Sequence, residues 1–491
     1  MLLDVGIFRK LHRKILRLFF VIQICREGVT LTKKIIGLIL GVIFLIGAKL
    51  VSPPAGLSEQ GLLSLGILAS GIALWICETL PSAITGLLLM VLVPIFNLMD
   101  MTNAFKNFGN ISVFFIIASF SIVVILRKTK IPEKIVARMM NWAGTNPEKL
   151  VFGFLFCTAT LSTVVSNTPD ALMFLGLSYP ILKAVNAKPG SSNLGKCLMI
   201  GIPISAMIGG FGTPAGTNIN ILAMSLFEQA TGTAITFVQW MYVGVPMYLI
   251  MTTLTWFSLV KIFKPEPITE EILAEVRSKA SQLGQSDAYE QKVIIAITTL
   301  FVLWIAGSWI PALNTTIVAI VGLVAMFLPK IELMTWDEFC KGVPWAVVIV
   351  FGSVNVVAAA VLKHGAAQWI ADLFIHSTQN MAVLPILLFF SLLIVCMHAV
   401  FPVGPAAVAM FTAPMVAVAN AGGFSPVIIA FVLAFGFGAT WLLPINPVFL
   451  LTYNEGYYKM TDTLKAGILP SIGLIVTLAV VVPFIVSLIG L

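Results

Sequence analysis

The sequence has few charged residues for its length. Of its 491 residues, 29 are lysine or arginine and 21 are aspartate or glutamate, so that 10% are charged, against about a quarter in an ordinary soluble domain. Hydrophobic residues make up 59% of the chain. The longest polar interior stretch, 263–291, is too short to bury a core of its own. These values exclude a water-soluble fold and locate the function in the membrane.

The sequence also lacks the patterns of cofactor sites and of intramembrane enzymes. Its six cysteines form no C-x-x-C pair and its four histidines have no metal-ligand spacing, so the cysteines are interpreted as small hydrophobic residues. There is no H-E-x-x-H motif and no pair of intramembrane aspartates. We therefore expect no enzymatic activity, no cofactor, and no metal other than a coupled Na⁺.

Long apolar runs recur from Ile35 to Leu491. One crossing of a bilayer core of about 30 Å takes roughly 20 such residues. We predict an all-α polytopic membrane protein with about eleven transmembrane helices, for which the lipid bilayer is the first partner.

The first 34 residues are basic and amphipathic. They contain eight lysines and arginines against two carboxylates, and they lead directly into the first apolar run. A nucleic-acid partner is one interpretation of such a segment. A helix on the anionic cytoplasmic surface of the membrane is favoured, and we expect no nucleic-acid partner. No small-residue cleavage site closes the run, so a signal peptide is not expected.

Lysine and arginine prefer the cytoplasmic side of a membrane. With the amino terminus inside and about eleven crossings, all of the 29 basic residues fall in cytoplasmic segments except Lys49, Lys106 and Lys363. We therefore predict a multi-pass protein of the cell (inner or plasma) membrane. Its amino terminus is expected in the cytoplasm and its carboxyl terminus on the extracellular or periplasmic side.

Two interruptions follow a short amphipathic piece at 131–142. Apolar segments 149–165 and 171–182 flank the polar sequence Ser166–Asp170, which predicts a re-entrant hairpin with its tip surrounded by protein or by a water-filled cavity. The next apolar stretch contains four glycines and one proline within 209–220. Such a segment cannot form a continuous helix, so we predict a broken one.

The same order recurs about 227 residues later. A helix at 345–362 precedes an amphipathic piece at 366–373, an apolar hairpin at 382–418 interrupted at 401–405, and a last helix broken at 441–447. By the crossing count, the two copies enter the membrane from opposite sides. An inverted repeat with paired broken segments indicates a secondary transporter with its site at the repeat interface. A channel would instead need a continuous polar pore.

Three motifs occur in order along the chain. Residues 75–81 follow the pattern W-x-x-E-x-x-P, Ser166–Thr168 is an SNT sequence, and 209–220 is similar to G-G-x-x-T-x-x-G-T-P-P-N. Through these motifs the chain resembles the divalent anion:sodium symporter (DASS) family over about 61–485. The resemblance implies an elevator-type transporter of small divalent anions that assembles as a homodimer.

The sequence departs from the family pattern in two places. Asn218-Ile219 replaces Pro-Pro, and the second SNT is absent, with Gly404-Pro405-Ala406 at the matching position. Residues 398–401 resemble the segment before the second tip in the family's dicarboxylate exchangers. This resemblance favours exchange over sodium symport.

The first tip has the composition of an anion site. Thr168-Pro169 predicts a helix start with Thr168 as N-cap and Pro169 at the first helical position. Asn167 and Thr168 would then offer side-chain donors beside free N–H groups at the positive end of a half-helix. The alternative is that Ser166, Asn167 and Thr168 only pack a turn. The second tip has no hydroxyl or amide, so we expect backbone donors there, with Asn446 as the nearest polar side chain.

Asp170 lies beside this predicted anion site. Its carboxylate would repel a bound anion unless it were protonated or held a cation, so it is a candidate coupling group for H⁺ or Na⁺. The alternative is a charge that stabilises a helix amino terminus. His398 is the histidine expected deepest in the membrane, and a hydrogen-bonded core histidine is its alternative interpretation.

The candidate residues fall into two sets. The candidate substrate ligands are Ser166, Asn167, Thr168, Gly216, Thr217, Gly404, Pro405, Asn446 and Pro447. The candidate cation-coupling residues are Ser166, Asn167, Asp170, Gly212, Thr213, Asn220 and His398. At most one sodium site is expected, because the second tip has lost its asparagine.

We expect a basic segment (1–34) and a cytoplasmic loop (263–290) besides two domains. The scaffold would comprise helices 1–4 (35–146) and 7–9 (291–380), and the transport domain the two segments 147–262 and 381–491. The expected function is exchange of di- or tricarboxylates across the cytoplasmic membrane. The alternative is a Na⁺- or H⁺-coupled symporter of dicarboxylates or sulfate.

Overall fold

The structure, a computed structural model, describes residues 30–267, 269–271, 274, 287–378, 381–398, 404–442 and 446–491. Every regular element among them is helical. The first half contains α1 Thr30–Leu50, α2 Glu59–Ile76, α3 Ser82–Ile95, α4 Met101–Phe108, α5 Ile111–Leu126, α6 Ile131–Ala143, α7 Pro147–Ser162, α8 Asn167–Ala184, α9 Asn193–Gly209, α10 Asn218–Thr231 and α11 Phe237–Phe263. The second half contains α12 Ala288–Ala306, α13 Thr315–Ala325, α14 Trp336–Gly342, α15 Trp345–Lys363, α16 Ala366–Thr378, α17 Val383–His398, α18 Gly404–Ala421, α19 Val427–Gly438, α20 Pro447–Tyr453, α21 Met460–Val476 and α22 Val482–Leu488.

The all-helical membrane fold predicted from the sequence is confirmed. Within the described residues, six helical segments are long and apolar enough to cross a bilayer by themselves, and six further apolar helices are shorter. The last crossing includes a π-helical turn at Thr477–Val481 between α21 and α22.

Polar residues between the apolar runs start the helices by capping them. The side chain of Ser58 accepts a hydrogen bond from the N–H of Gly61 (2.9 Å) at the start of α2, and Asn110 caps α5 in the same way. α3 ends at Ile95, and Asp100 caps the separate helix α4 by accepting from the N–H of Asn103 (2.9 Å). The cap satisfies a free N–H group and so favours a new helix start.

Helices outside the interrupted segments pack in pairs. α1 packs on α2, α3 packs on α15, and α5 packs on α13. α3 and α15 approach closely because Gly86 has no side chain. A Cβ atom there would lie 3.0 Å from Oγ of Ser353 and 3.4 Å from Cα of Val350.

The two hairpins and the two broken helices pack on one another. α7 and α8 form the first hairpin, and α17 and α18 lie on either side of the second predicted tip, whose residues 399–403 lie outside the described residues. The pieces cross between the halves: α10 packs on α18, and α20 packs on α8 and α9. Helices from the two copies of the repeat therefore pack directly against each other. Of the second break, predicted at 441–447, residues 443–445 lie outside the described residues.

The predicted amphipathic piece 131–142 corresponds to α6, which is fixed at its start. The buried carboxylate of Glu290 on α12 accepts a hydrogen bond from the N–H of Lys130 (2.8 Å) and forms an ion pair with Lys134. The second amphipathic piece, predicted at 366–373, corresponds to α16, which extends to Thr378.

Candidate functional site

The first tip is the turn between α7 and α8. α7 ends at Ser162 and α8 begins at Asn167, with Ser166 at the N-cap position in an extended-type conformation (φ −50°, ψ 147°). The prediction that Thr168 is the N-cap is wrong, because Thr168 is the second helical residue and Pro169 the third. Pro169 is tolerated there because the first turn needs no N–H donor. The N–H groups of Asn167 and Thr168 have no hydrogen-bond partner among the described residues, so the positive end of α8 is free to bind an anion.

The side chain of Asn167 connects this tip to the first broken helix. It is half-buried, and with the amide oriented so that its nitrogen faces the neighbouring acceptors, it donates to the carbonyl oxygens of Ala206 (3.2 Å) and Gly216 (3.3 Å). Both N–H bonds of the amide are therefore directed at the protein. An anion at this tip would be bound by the backbone N–H groups and by the exposed hydroxyl of Thr168.

The first break lies between α9 and α10, where Pro214–Gly216 forms one turn of 3₁₀-helix. Asn220 is fully buried, and its amide nitrogen donates to the carbonyls of Gly210 (2.6 Å) and Thr213 (2.8 Å). Its amide oxygen is buried and has no hydrogen-bond partner among the described residues. A buried oxygen without a donor is a suitable ligand for a cation.

Neighbouring helices hold the broken segment in place. The hydroxyl of Thr213 donates to the carbonyl of Thr163 in the first tip (2.6 Å), and the indole N–H of Trp240 on α11 donates to the carbonyl of Phe211 (3.0 Å). A Cβ at Gly212 would lie 2.7 Å from Cγ2 of Thr163. A side chain at position 212 would therefore crowd the contact between the tip and the broken helix.

The second tip contacts the same region from the other half. Gly404 and Pro405 begin α18, and a Cβ at Gly404 would lie 2.8 Å from Cδ1 of Ile219 on α10. The side chains of His398 and Pro447 lie outside the described residues.

Asn446 caps α20 at the second break. Its side-chain oxygen accepts from the N–H of Val448 (2.9 Å), and its nitrogen donates to the hydroxyl of Thr440 (3.2 Å) and contacts Sδ of Met207 on α9 (3.9 Å). The second break therefore contacts α9 just before the first break begins.

Asp170 is the unusual residue of the first tip. It has no exposed surface, and neither carboxylate oxygen has a hydrogen-bond partner among the described residues. An ionised carboxylate is costly to bury in this way, and an ionisable group inside a membrane protein suggests a functional site.

The structure thus brings most of the predicted residues together around the first break. Ser166 and Asn167 lie at one side, Gly212, Thr213, Gly216, Thr217 and Asn220 form the break itself, and Gly404 and Asn446 approach from the second half through Ile219 and Met207. Sequence reasoning missed Ala206 and Gly210, whose carbonyls accept the amides of Asn167 and Asn220. In the sequence, the adjacent glycines Gly209 and Gly210 could have indicated that another segment of the chain approaches closely at Gly210.

The family is decided by a match over almost the whole chain. A family model described as the sodium:sulfate symporter transmembrane region matches residues 32–491. The chain belongs to this sodium:sulfate symporter family. Its members are membrane transporters, which confirms the predicted absence of enzymatic activity and the resemblance to divalent anion:sodium symporters.

Curated relatives in the sodium:sulfate symporter family are similar over most of their length. The sodium-dependent dicarboxylate transporter SdcS of Staphylococcus saprophyticus is 25% identical over 482 residues, which cover 92% of this chain and 91% of that protein. SdcS of Staphylococcus aureus strain MRSA252 is 26% identical over 368 residues, or 70% of each chain.

Two solved transporter structures share the fold of this sodium:sulfate symporter family member. The YdaH transporter of Alcanivorax borkumensis has a TM-score of 0.56 at 11% identity and covers 88% of this chain and 99% of its own. MtrF of Neisseria gonorrhoeae has a TM-score of 0.54 at 12% identity, with 92% and 94% covered.

Proposed function

We propose that this transporter exchanges small dicarboxylates across the cell membrane, with the substrate bound between the two tips. One observation carries the proposal: the free amino-terminal end of α8, the first break and the start of α18 meet through Asn167, Gly216, Ile219 and Gly404. The SdcS relatives, named as dicarboxylate transporters, support the substrate class.

The anion would be bound without a formal positive charge. The segments 163–170, 209–220, 404–405 and residue 446 contain no lysine or arginine. The donors would be the free N–H groups of Asn167 and Thr168 and the positive end of α8, which together favour a carboxylate. The start of α18 at Gly404 would supply the corresponding backbone groups for the second carboxylate.

The asymmetry between the halves supports exchange. Asn220 contributes a buried oxygen with no donor among the described residues, whereas the residue 227 positions later is Pro447, which has no side-chain oxygen. One cation at most would bind beside a dianion, so the loaded site would keep a net negative charge. The binding site of such a carrier would return across the membrane more readily with another dianion bound than without substrate.

The same contacts support an elevator motion. The predicted transport segments 147–262 and 381–491 pack on each other through α10 with α18 and α11 with α21, and they would move together against the scaffold helices of a homodimer. A crosslink on the outer face between the two domains is expected to stop transport and to leave the dimer intact. Normal uptake by the crosslinked protein would contradict the moving domain.

Counterflow in proteoliposomes tests the proposed exchange. Purified protein is reconstituted with or without internal succinate, and uptake of labelled succinate is measured with and without Na⁺. We expect strong stimulation by internal dicarboxylate, little effect of Na⁺, and no effect of a membrane potential, because one dianion replaces another. Strictly Na⁺-dependent uptake into empty vesicles with a Hill coefficient well above one would contradict exchange, and inhibition by sulfate but not by dicarboxylates would contradict the substrate class.

A cation-coupled symporter is the second candidate, and the burial of Asp170 without a partner favours it. In this mode a proton or Na⁺ would neutralise Asp170 during each cycle. Asp170→Asn keeps the shape of the side chain and removes its charge. If symport operates, the variant should bind succinate but lose the response of uptake to a Na⁺ or pH gradient; if exchange operates, counterflow should persist in the variant.

A further inference from the structure

A groove lies between α11 and α21. Its volume is about 410 Å³, and its lining includes Phe257, Lys261 and Ile262 of α11 and Lys465, Ile468 and Leu469 of α21. The two helices pack directly on each other below it.

Close contacts between the helices fix the base of the groove. The hydroxyl of Ser258 donates to the carbonyl of Ala466 (2.8 Å). Further along the same helix pair, a Cβ at Gly473 would lie 2.5 Å from Cδ1 of Leu254. The groove is therefore part of the packed helix pair and needs no rearrangement to form.

The walls are apolar and exposed. Phe257 is 47% exposed and Ile468 52% exposed, and the exposed face of α21 continues along the helix through Ile472 and Val476. In a membrane-spanning helix pair, such a stripe faces the acyl chains of lipids.

Two lysines lie at the mouth of the groove. Lys261 is two residues from the end of α11 and Lys465 is in the second turn of α21, so both lie at the membrane face that the charge distribution assigns to the cytoplasm. Both are exposed, and neither forms an ion pair with the described residues. Nζ of Lys261 lies 5.8 Å from the ring centroid of Phe257, which places this charge beside the apolar wall.

We propose that this groove binds one anionic phospholipid, with its phosphate between Lys261 and Lys465 and an acyl chain along Ile468 and Ile472. The two unpaired charges complement a phosphate, and the apolar stripe complements the chain. A small free anion would not complement the apolar walls. A second copy of this chain would have to place a carboxylate in an apolar groove to pair with the lysines.

Thermal unfolding of the full-length protein in a neutral detergent tests the proposal. Phosphatidylglycerol, phosphatidylcholine with the same chains, and glycerol phosphate are titrated separately, without any substrate. A ligand that binds the folded state raises its unfolding temperature. We expect phosphatidylglycerol to stabilise the protein and the other two to have little effect.

Four variants assign the effect to the groove. Lys261→Ala/Lys465→Ala should weaken apparent affinity about thirtyfold, since a lysine near an anionic lipid contributes roughly fivefold. Lys261→Arg/Lys465→Arg should bind normally because both charges remain. Ile468→Trp keeps the lysines and fills the groove, so it should also lose binding. Lys183→Ala, which removes an exposed lysine at the end of α8, is the matched control and should bind like the unmodified protein.

The proposal is wrong if phosphatidylcholine or glycerol phosphate stabilises the protein as much as phosphatidylglycerol, or if the double alanine variant keeps its affinity. It is also wrong if the double alanine variant changes oligomeric state without added lipid, because the groove would then contact a second copy of the chain. The measurement uses no substrate, so its result is independent of the proposed exchange.

Discussion

Replacing Gly216 with alanine tests whether the first break is packed as tightly as described. A Cβ atom at this position would lie 2.6 Å from the carbonyl oxygen of Gly210 and 3.0 Å from its Cα. Ordinary contact begins near 3.4 Å, so the backbone segments at Gly210 and Gly216 would have to separate by about 0.8 Å. Neither neighbour is a flexible side chain, so the displacement falls on the backbone that carries the carbonyls bound by Asn167 and Asn220.

The expected magnitude follows from these contacts. Overpacking at a well-packed position costs about 1–3 kcal/mol. If the tip is displaced with the break, each hydrogen bond lost between the free N–H groups of α8 and a bound carboxylate costs about 1.5–3 kcal/mol. We therefore expect Gly216→Ala to lower the unfolding temperature and to weaken succinate binding tenfold or more. The control is Gly176→Ala on α8, where a Cβ would meet nothing within 4 Å and where alanine favours the helix by about 0.5–1 kcal/mol.

Two measurements separate folding from binding. Thermal unfolding in detergent gives the stability of each variant, and the additional shift caused by succinate reports the site. Counterflow then gives the exchange rate. Unfolding temperature, succinate shift and counterflow in Gly216→Ala that all match Gly176→Ala would refute the close approach of Gly210 and Gly216.

Three further predictions concern separate contacts. Asn167→Ala removes the hydrogen bonds to Ala206 and Gly216 and should lower counterflow about tenfold or more, whereas Asn107→Ala on α4 should leave it unchanged. The carboxylate of Glu266 accepts hydrogen bonds from the N–H groups of Asn193 (2.6 Å) and Leu194 at the start of α9. Glu266→Gln replaces it with a neutral amide, so the free energy of unfolding in detergent should fall by about 1 kcal/mol. An unchanged unfolding midpoint would contradict this role. The N–H of Thr335 and then the ammonium of Lys128 hold the pKa of Glu338 below its ordinary value, so its contribution to stability is present above pH about 4.3 and is lost as the pH falls through the lower folded value. Glu338→Gln should reduce the difference in unfolding temperature between neutral and acidic pH, and an identical pH profile would contradict the prediction.

The places where the chain interrupts its helices could be predicted from the sequence, because glycine, proline and polar residues stand out within apolar runs. The first tip and first break follow directly from Ser166–Asp170 and Gly209–Asn220. The partners of the polar side chains could not be predicted in this way. Asn167 is directed at the carbonyls of Ala206 and Gly216, and sequence spacing contains no information about which carbonyls a neighbouring helix leaves free. The start of α8 was misplaced by two residues, since Ser166 and Thr168 are both favoured caps by residue type and the prediction chose the one next to Pro169.

The pairing of α3 with α15 has a consequence for the synthesis of the protein. α3 ends at residue 95 and α15 begins at residue 345, and a ribosome adding about 5–20 residues per second needs roughly 10–50 seconds to make the chain between them. During that interval the surface around Gly86 has been made but its partner, the face of α15 around Ser353, has not. Lipid or the insertion machinery must cover this surface until then. A bulky substitution at Gly86 would therefore leave the early steps of insertion unaffected and would disturb packing only when α15 arrives, after most of the chain has been made.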